Sequence, residues 1–335
     1  MNIIIPMAGM GKRMRPHTLT VPKPLIPIAG KPIVHRLVED ITKMCDEKID
    51  QIGFVVGRFG SEVEKNLLEI AAESGAEGRI FYQDQALGTA HAVYSAQEIL
   101  QGKTIVAFAD TLFKASFKLD DDKDSIVWVQ KVEDPSAFGV VNLNGDNEVI
   151  DFVEKPKDFI SDLAIIGIYY FKNGEKLRSE IRQIIDDDVK KDGEFQLTTA
   201  LENLKNNGVK FYTSEVDEWL DCGNKNATIY TNQRYLEYLK KEELISKSSH
   251  IENSIVIPPV YVGKNVTLHN TVVGPHVSIG DNTIMTESRV RNSIVQADSK
   301  IENANIANSM IGNFVMFKGK ATNLNLGDYS VVEGQ

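Results

Sequence analysis

The chain has 335 residues, 42% hydrophobic and 25% charged, which is enough for two domains of ordinary size with a real core. Its net charge of −10 argues against nonspecific binding to nucleic acid or to an anionic membrane. No apolar run approaches the roughly 18–20 residues needed to cross a bilayer. Met1–Pro6 shows no basic segment leading into a long apolar stretch, so no secretory signal is expected. Cys45 and Cys222 form neither a metal nor a redox spacing, and a reducing, cytoplasmic setting is expected.

The first 110 residues alternate strand and helix patterns. Asn2–Ile5 reads as a short apolar strand, and Pro32 opens a helix carrying Ile33, Val34, Leu37, Val38 and Ile41 at helical spacing. Ile52–Val56 reads as a buried strand. Ser61 and Glu64 then form a capping-box pattern ahead of a second helix. Arg79–Gln83 is expected as a strand, Thr89–Leu100 as a helix, and Thr104–Ala109 as a strand ending at Asp110. Repeated βα units predict a parallel sheet covered on both faces, with ligands outside the carboxyl ends of the strands. Further strands are expected at Ile126–Val132, Gly139–Leu143, Val149–Val153 and Ala164–Phe171, with helices over Gln196–Lys205 and Ala227–Leu244.

From about Ser248 the texture changes to short β-branched runs with few lysines. A phrase recurs, starting at Asn253, Asn270, Asn292 and Asn308, with separations of 17, 22 and 16 residues. Gly263, Gly274, Gly280, Gly312 and Gly327 punctuate these runs. The pattern resembles hexapeptide repeats at roughly 18 residues per three-sided coil, in which stacking supplies the core. The expected division is 1–245 for an α/β domain and 246–335 for a left-handed parallel β-helix.

Chemistry is concentrated near the N-terminus. Lys12, Arg13, Arg15, Lys23 and Lys31 fall within twenty residues, and such a cluster on an acidic chain points to a small anionic ligand, with a solvated basic face as the alternative. Gly9-Met10-Gly11-Lys12-Arg13 follows an apolar strand, the setting in which glycines let backbone N–H groups approach a phosphate. A dinucleotide fingerprint would need glycine where Met14 stands, and a P-loop would need Ser or Thr where Arg13 stands. Pro22 and Pro24 restrict the backbone around Lys23 and hold it out of helix.

These residues, with Trp219-Leu220-Asp221-Cys222-Gly223 far downstream, resemble the sugar nucleotidyltransferase family, whose N-terminal signature is G-x-G-x-R followed by a P-K pair. The likeness runs along essentially the whole chain and is nearest to the long bacterial form of glucose-1-phosphate thymidylyltransferase, with its C-terminal β-helix. It implies a Rossmann-like α/β nucleotidyltransferase domain with a mixed, mainly parallel sheet, followed by a left-handed parallel β-helix. The resemblance also assigns roles. Arg13 and Lys23 would stabilise the triphosphate during transfer, while Gly9, Gly11, Lys12, Gln83 and Gly88 would bind the nucleotide. Asp110 and Asp221 would hold Mg2+. Gly139, Glu154, Lys155, Gly167 and Glu194 would line the sugar-phosphate side.

A glutamine amide at position 83 suits a uracil-type edge and so dTTP or UTP, without separating the two. The implied acceptor is a sugar 1-phosphate, with glucose 1-phosphate leading on family likeness. Homo-oligomerisation is expected of the β-helix, and neither nucleic acid nor membrane is expected as a partner. Departures from the pattern are Ala8, Lys12, Ala109 and Thr111, where relatives favour other residues, and Cys222 in place of threonine. Two alternatives accompany the resemblance. One is a non-catalytic regulatory or assembly subunit; the other is an added acyltransferase using His250, His269 or His276.

Overall fold

The computed structural model of the chain describes residues 1–320, so Gly327 of the repeat pattern lies outside the described residues. The elements in chain order begin with β1 (Asn2–Pro6), the short pair β2 (Pro27–Ile28) and β3 (Lys31–Pro32), and α1 (Ile33–Met44). They continue through β4 (Gln51–Val56), α2 (Ser61–Glu73), β5 (Glu77–Tyr82), α3 (Thr89–Tyr94), β6 (Thr104–Ala107) and β7 (Thr111–Lys114). Next come β8 (Ser125–Lys131), β9 (Gly139–Leu143), β10 (Val149–Glu154), β11 (Leu163–Phe171), α4 (Gly174–Asp186) and α5 (Leu197–Asn206). The series closes with β12 (Phe211–Glu215), β13 (Glu218–Asp221) and α6 (Lys225–Tyr238).

Two compact units emerge: 1–27 with 31–231, and 28–30 with the residues from Asn232 onward. The division falls inside α6. In the first unit a nine-stranded mixed sheet has the order β10-β9-β11-β6-β1-β4-β5, with β8 joining β11 to β12. Its half around β1 is parallel, because β1 pairs in parallel with both β4 and β6, and β4 with β5. All five residues of β1 are buried, as a strand covered on both faces requires. Ile4, Val55, Val106, Val127, Phe171 and Phe211 share one apolar cluster, and side chains of this size contribute about 1.5–3 kcal/mol each when fully buried.

Two local expectations give way to tertiary context. The Ser61/Glu64 box does not form: Gly60 is the N-cap of α2, and the Glu64 carboxylate accepts from the Tyr82 hydroxyl at 2.8 Å instead. The expected helix over Thr89–Leu100 stops at Tyr94. The Ser95 hydroxyl bonds back to the His91 carbonyl, and beyond it Ala96 and Gln97 bond three residues back rather than four.

In the second unit, parallel strands stack into three sheets. One contains His250–Glu252, Thr267–His269, Ile284–Thr286, Lys300–Glu302 and Met316–Lys318. A second begins with Ile255–Val256 on Val272–Val273, and a third with Val260–Val262 on Val277–Ile279. Corresponding residues lie 17 apart in the first coils and 16 apart in the later ones. This is the β-helix that the repeat predicts, with Leu268, Met285, Val290, Val273, Ile279 and Val295 in its core.

Its corners explain the recurring phrase. Asn253, Asn270, Glu287 and Asn303 hold positive φ at one corner, Asn265, Asn282 and Asp298 at a second, and His276, Asn292 and Asn308 at a third. Asparagine tolerates that conformation and ladders its amide to the coil above, as Asn253 does to Asn270 and Asn292 to Asn308. The phrase therefore sits on two different corners, and the spacing of 22 between Asn270 and Asn292 is one coil plus one side of the triangle.

Candidate active site

The loop after β1 carries Gly9, Gly11, Lys12 and Arg13 to the carboxyl end of the parallel strands, and a cavity of about 410 Å3 opens there. Also around it are Lys23, Gln83, Gly88, Thr89, Asp110, Glu194 and Gly223. Gly11 has φ +55, and a Cβ there would lie 2.9 Å from the Lys23 Cβ, so the glycine keeps the loop close against the lysine segment. No atom of the described residues would meet a Cβ on Gly9. Lys23 is itself buried and reaches the Asp110 carboxylate at 3.0 Å.

Asp110 and Asp221 are 111 positions apart in sequence yet close in space, because β13 pairs antiparallel with β7 and sets Asp221 opposite Thr111. The Cys222 N–H donates to the Asp110 carbonyl at 3.0 Å, and the Gly223 N–H donates to Asp221 Oδ1 at 2.8 Å. Thr231 donates to the Asp221 carbonyl at 2.8 Å. Burial pushes the Asp221 carboxyl above its ordinary pKa; the negative Asp110 adds to this, while the Gly223 N–H, Lys23 and Arg13 oppose it. A Cβ on Gly223 would stand 3.4 Å from the Arg13 guanidinium, which places that cation at the acidic pair as well.

Among the described residues no group of three or more His, Cys, Asp or Glu side chains forms a metal cluster. The donor chemistry nevertheless fits a hard divalent cation completed by ligand oxygens: two carboxylates share one site, and burial makes the inner one difficult to ionise without positive charge nearby. Cys222 is fully buried, which raises its thiol pKa and makes it a packing residue.

Gln83 follows β5, and its backbone is held to Val56. Its amide donates to the Gly88 carbonyl at 3.2 Å and lies 3.1 Å from His91 Nδ1. Gly88 takes φ +116, and a Cβ there would sit 2.4 Å from the Phe195 carbonyl oxygen. The close approach that Gly88 permits is thus to the chain's own backbone. The Thr89 hydroxyl accepts from the Leu197 N–H at 2.8 Å and tethers the starts of α3 and α5 to each other.

The residues assigned to the sugar-phosphate side lie in three places. Glu194 borders the cavity at the glycine loop, where its carboxylate accepts from Gln196. Gly139, Glu154 and Lys155 gather at Thr198 of α5, outside the lining of that cavity. The Glu154 carboxylate accepts from Thr198 at 3.2 Å and lies 3.7 Å from Lys155 Nζ. A Cβ on Gly139 would come within 3.3 Å of Glu154 Oε2. Lys155 holds φ +42, a strained value for a lysine. Gly167 takes φ +84 where β11 shifts register against β8, and its carbonyl accepts from the Phe108 N–H at 3.0 Å.

Thr198, Thr231 and His91 are site neighbours that the sequence motifs did not single out; each lies within an expected helix, Gln196–Lys205, Ala227–Leu244 and Thr89–Leu100 respectively, where no local signal marks it. In the β-helix, His276 Nε2 is 2.7 Å from Glu237, and the exposed His250 and the half-buried His269 flank Glu252.

A Rossmann-like sheet, a glycine loop with two cations, and an acidic pair meet in one α/β domain at the carboxyl ends of its parallel strands, where such sheets place their ligand sites. The chain belongs to the nucleotidyl transferase family, whose model matches residues 2–238. It is 36% identical over 262 residues to the bifunctional protein GlmU of Methanococcus maripaludis strain C7, covering 77% of this chain and 59% of that protein. The chain therefore spans about 59% of the length of the GlmU relatives it matches. It is 28% identical over 364 residues to the glucose-1-phosphate thymidylyltransferase of Streptomyces antibioticus, with 100% of both chains covered. The structure of UDP-glucose pyrophosphorylase complexed with UDP-glucose shares the fold with a TM-score of 0.58 at 23% identity, covering 71% of this chain and 98% of that one. No helix among the described residues is long and apolar enough to cross a membrane.

Proposed function

We propose that the protein transfers a nucleotidyl group from dTTP or UTP to a sugar 1-phosphate, with glucose 1-phosphate as the leading acceptor. The observation that carries this reading is the meeting of Arg13, Lys23, Asp110 and Asp221 beside a glycine loop and Gln83, from five separate stretches of sequence. The full-length likeness to a glucose-1-phosphate thymidylyltransferase supports the acceptor class.

In this reading a phosphate oxygen of the sugar 1-phosphate attacks the α-phosphorus, the α–β phosphoanhydride bond breaks, and pyrophosphate leaves with its electron pair. The attacking oxygen is already anionic, so no general base or protein nucleophile is required. Arg13 and Lys23 neutralise charge on the triphosphate, and the loop amides from Gly9 to Arg13 align it. Mg2+ bound by Asp110 and Asp221 would supply further charge neutralisation of the phosphates. Glu154, with Gly139 beside it, would accept hydrogen bonds from sugar hydroxyls, and Lys155 would meet the sugar phosphate. Gln83 would read the pyrimidine edge.

The test is a matrix of nucleoside triphosphates against sugar 1-phosphates with Mg2+, scored by released pyrophosphate. Turnover confined to a uracil-type triphosphate with a sugar 1-phosphate is expected. Absence of pyrophosphate across the matrix would overturn the assignment in favour of a non-catalytic subunit.

A further inference from the structure

Gln83 is an ambiguous reader by itself, since a glutamine amide both donates and accepts. The structure removes that ambiguity. The Nε2 atom faces two acceptors of the chain, the Gly88 carbonyl at 3.2 Å and His91 Nδ1 at 3.1 Å. An NH2 group has two protons, so both are engaged and Oε1 is the atom left for a ligand. Each acceptor is fixed independently. Gly88 is pressed against the Phe195 backbone, and the Ala90 N–H donates to the Phe195 carbonyl at 2.9 Å while the Phe195 N–H donates to the Leu87 carbonyl at 2.8 Å. His91 stands in α3, its carbonyl capped by both the N–H and the hydroxyl of Ser95.

We propose that His91 is a positioning residue for base selection: its Nδ1 lone pair locks the Gln83 amide so that only an acceptor oxygen faces the nucleotide. The proposal rests on Gln83 being the base reader. Partial burial holds the His91 pKa below its ordinary value and favours the neutral imidazole, and because the Gly88 carbonyl fixes Gln83 Nε2 as a donor, the tautomer that fits carries its proton on His91 Nε2 and its lone pair on Nδ1. A fixed acceptor matches the N3–H of uracil or thymine and opposes the N3 lone pair of cytosine. A free amide would rotate and satisfy either. His91 thus turns a tolerant side chain into a selective one without touching the base.

The experiment compares Gln83→Ala, His91→Leu and His91→Asn with the unaltered protein, using UTP, dTTP and CTP and a fixed sugar 1-phosphate. His91→Leu keeps the bulk and removes the acceptor. It is expected to raise KM for UTP and dTTP about tenfold, the loss typical of one buried hydrogen bond, with kcat within about twofold. Its preference for UTP over CTP should shrink by at least as much, while KM for the sugar phosphate stays unchanged. His91→Asn, which can present a carbonyl oxygen to the amide, is expected to restore most of the preference. Thermal unfolding checks that each variant folds, and His91→Ala replaces the leucine variant if that one does not.

If Gln83→Ala loses the preference while His91→Leu and His91→Ala keep it, the positioning role is overturned and the base reader stands. If Gln83→Ala itself keeps the preference, the reading of Gln83 fails and the proposal with it.

Discussion

The two units of this protein bring residues together in opposite ways. In the β-helix, neighbours in space are 16 or 17 residues apart, coil after coil, so each corner asparagine meets its own counterpart. In the α/β unit the decisive contacts are irregular: Lys23 meets Asp110 at a separation of 87, and Asp221 comes to that pair through β13 and β7. A repeat distributes stability evenly and leaves no single residue indispensable. A convergent site concentrates charge at one point and makes each member matter. The contrast is open to test residue by residue.

The largest effect is expected where convergence is tightest. Asp221→Ala or Lys23→Ala should lower kcat/KM for pyrophosphate release a hundredfold or more, the scale on which preorganised electrostatic groups act. Circular dichroism and thermal unfolding should show a folded protein in both cases. Near-normal turnover in either variant would mean that the cluster is structural. Chelation of divalent cations with EDTA should abolish turnover in the unaltered protein, with recovery on adding Mg2+; full activity in EDTA would remove the metal from the reading.

Next in size is Gly88→Ala. The residue holds φ +116, and its Cβ would stand 2.4 Å from the Phe195 carbonyl oxygen, so either Gly88 or Phe195 must shift. The segment from Leu87 to Ala90 carries the Gln83 acceptor on one side and bonds to Phe195, beside Glu194, on the other. Activity is therefore expected to fall at least tenfold, with KM rising for both substrates. An effect confined to the nucleotide would show that the Phe195 contact does not couple the two sides.

Glu154→Ala probes the proposed sugar side alone. It should raise KM for the sugar 1-phosphate about tenfold and leave KM for the nucleotide unchanged, in line with removing a hydrogen bond to a charged group. An unchanged sugar KM would take Glu154 and its neighbours out of the acceptor site.

Much of this was legible in the sequence because the signals are local. Gly9–Arg13 follows a buried apolar strand, and the β-helix announces itself through repetition. What stayed hidden depends on partners far along the chain. β7 and β13 are four residues each, too short to show a strand period, yet their pairing sets Asp221 beside Asp110. Without the family likeness nothing in the sequence joins those two aspartates. The resemblance marked Gly88 for the nucleotide, but not the Phe195 backbone that presses on it, because Phe195 lies 107 positions away. The same limit made the recurring asparagine phrase look like one irregular repeat, when its members occupy two corners.

The smallest expected effects belong to the β-helix, and they separate position from composition. Asn270 has φ +50; its amide accepts from Asn253 and donates to Glu287. Asn270→Ala removes both links and places a residue without a local hydrogen-bonding side chain in a left-handed corner, a cost of about 1–2 kcal/mol. Gly274, near the start of a neighbouring side, has φ +109, and a Cβ there would lie 2.0 Å from the Ile257 carbonyl oxygen. Gly274→Ala should therefore lower the unfolding midpoint further than Asn270→Ala, even though it adds only one methyl group. Neither should change kcat measured well below the midpoint. The reverse order of midpoints would show that the corner ladders, rather than the close packing of coil on coil, set the stability of this unit.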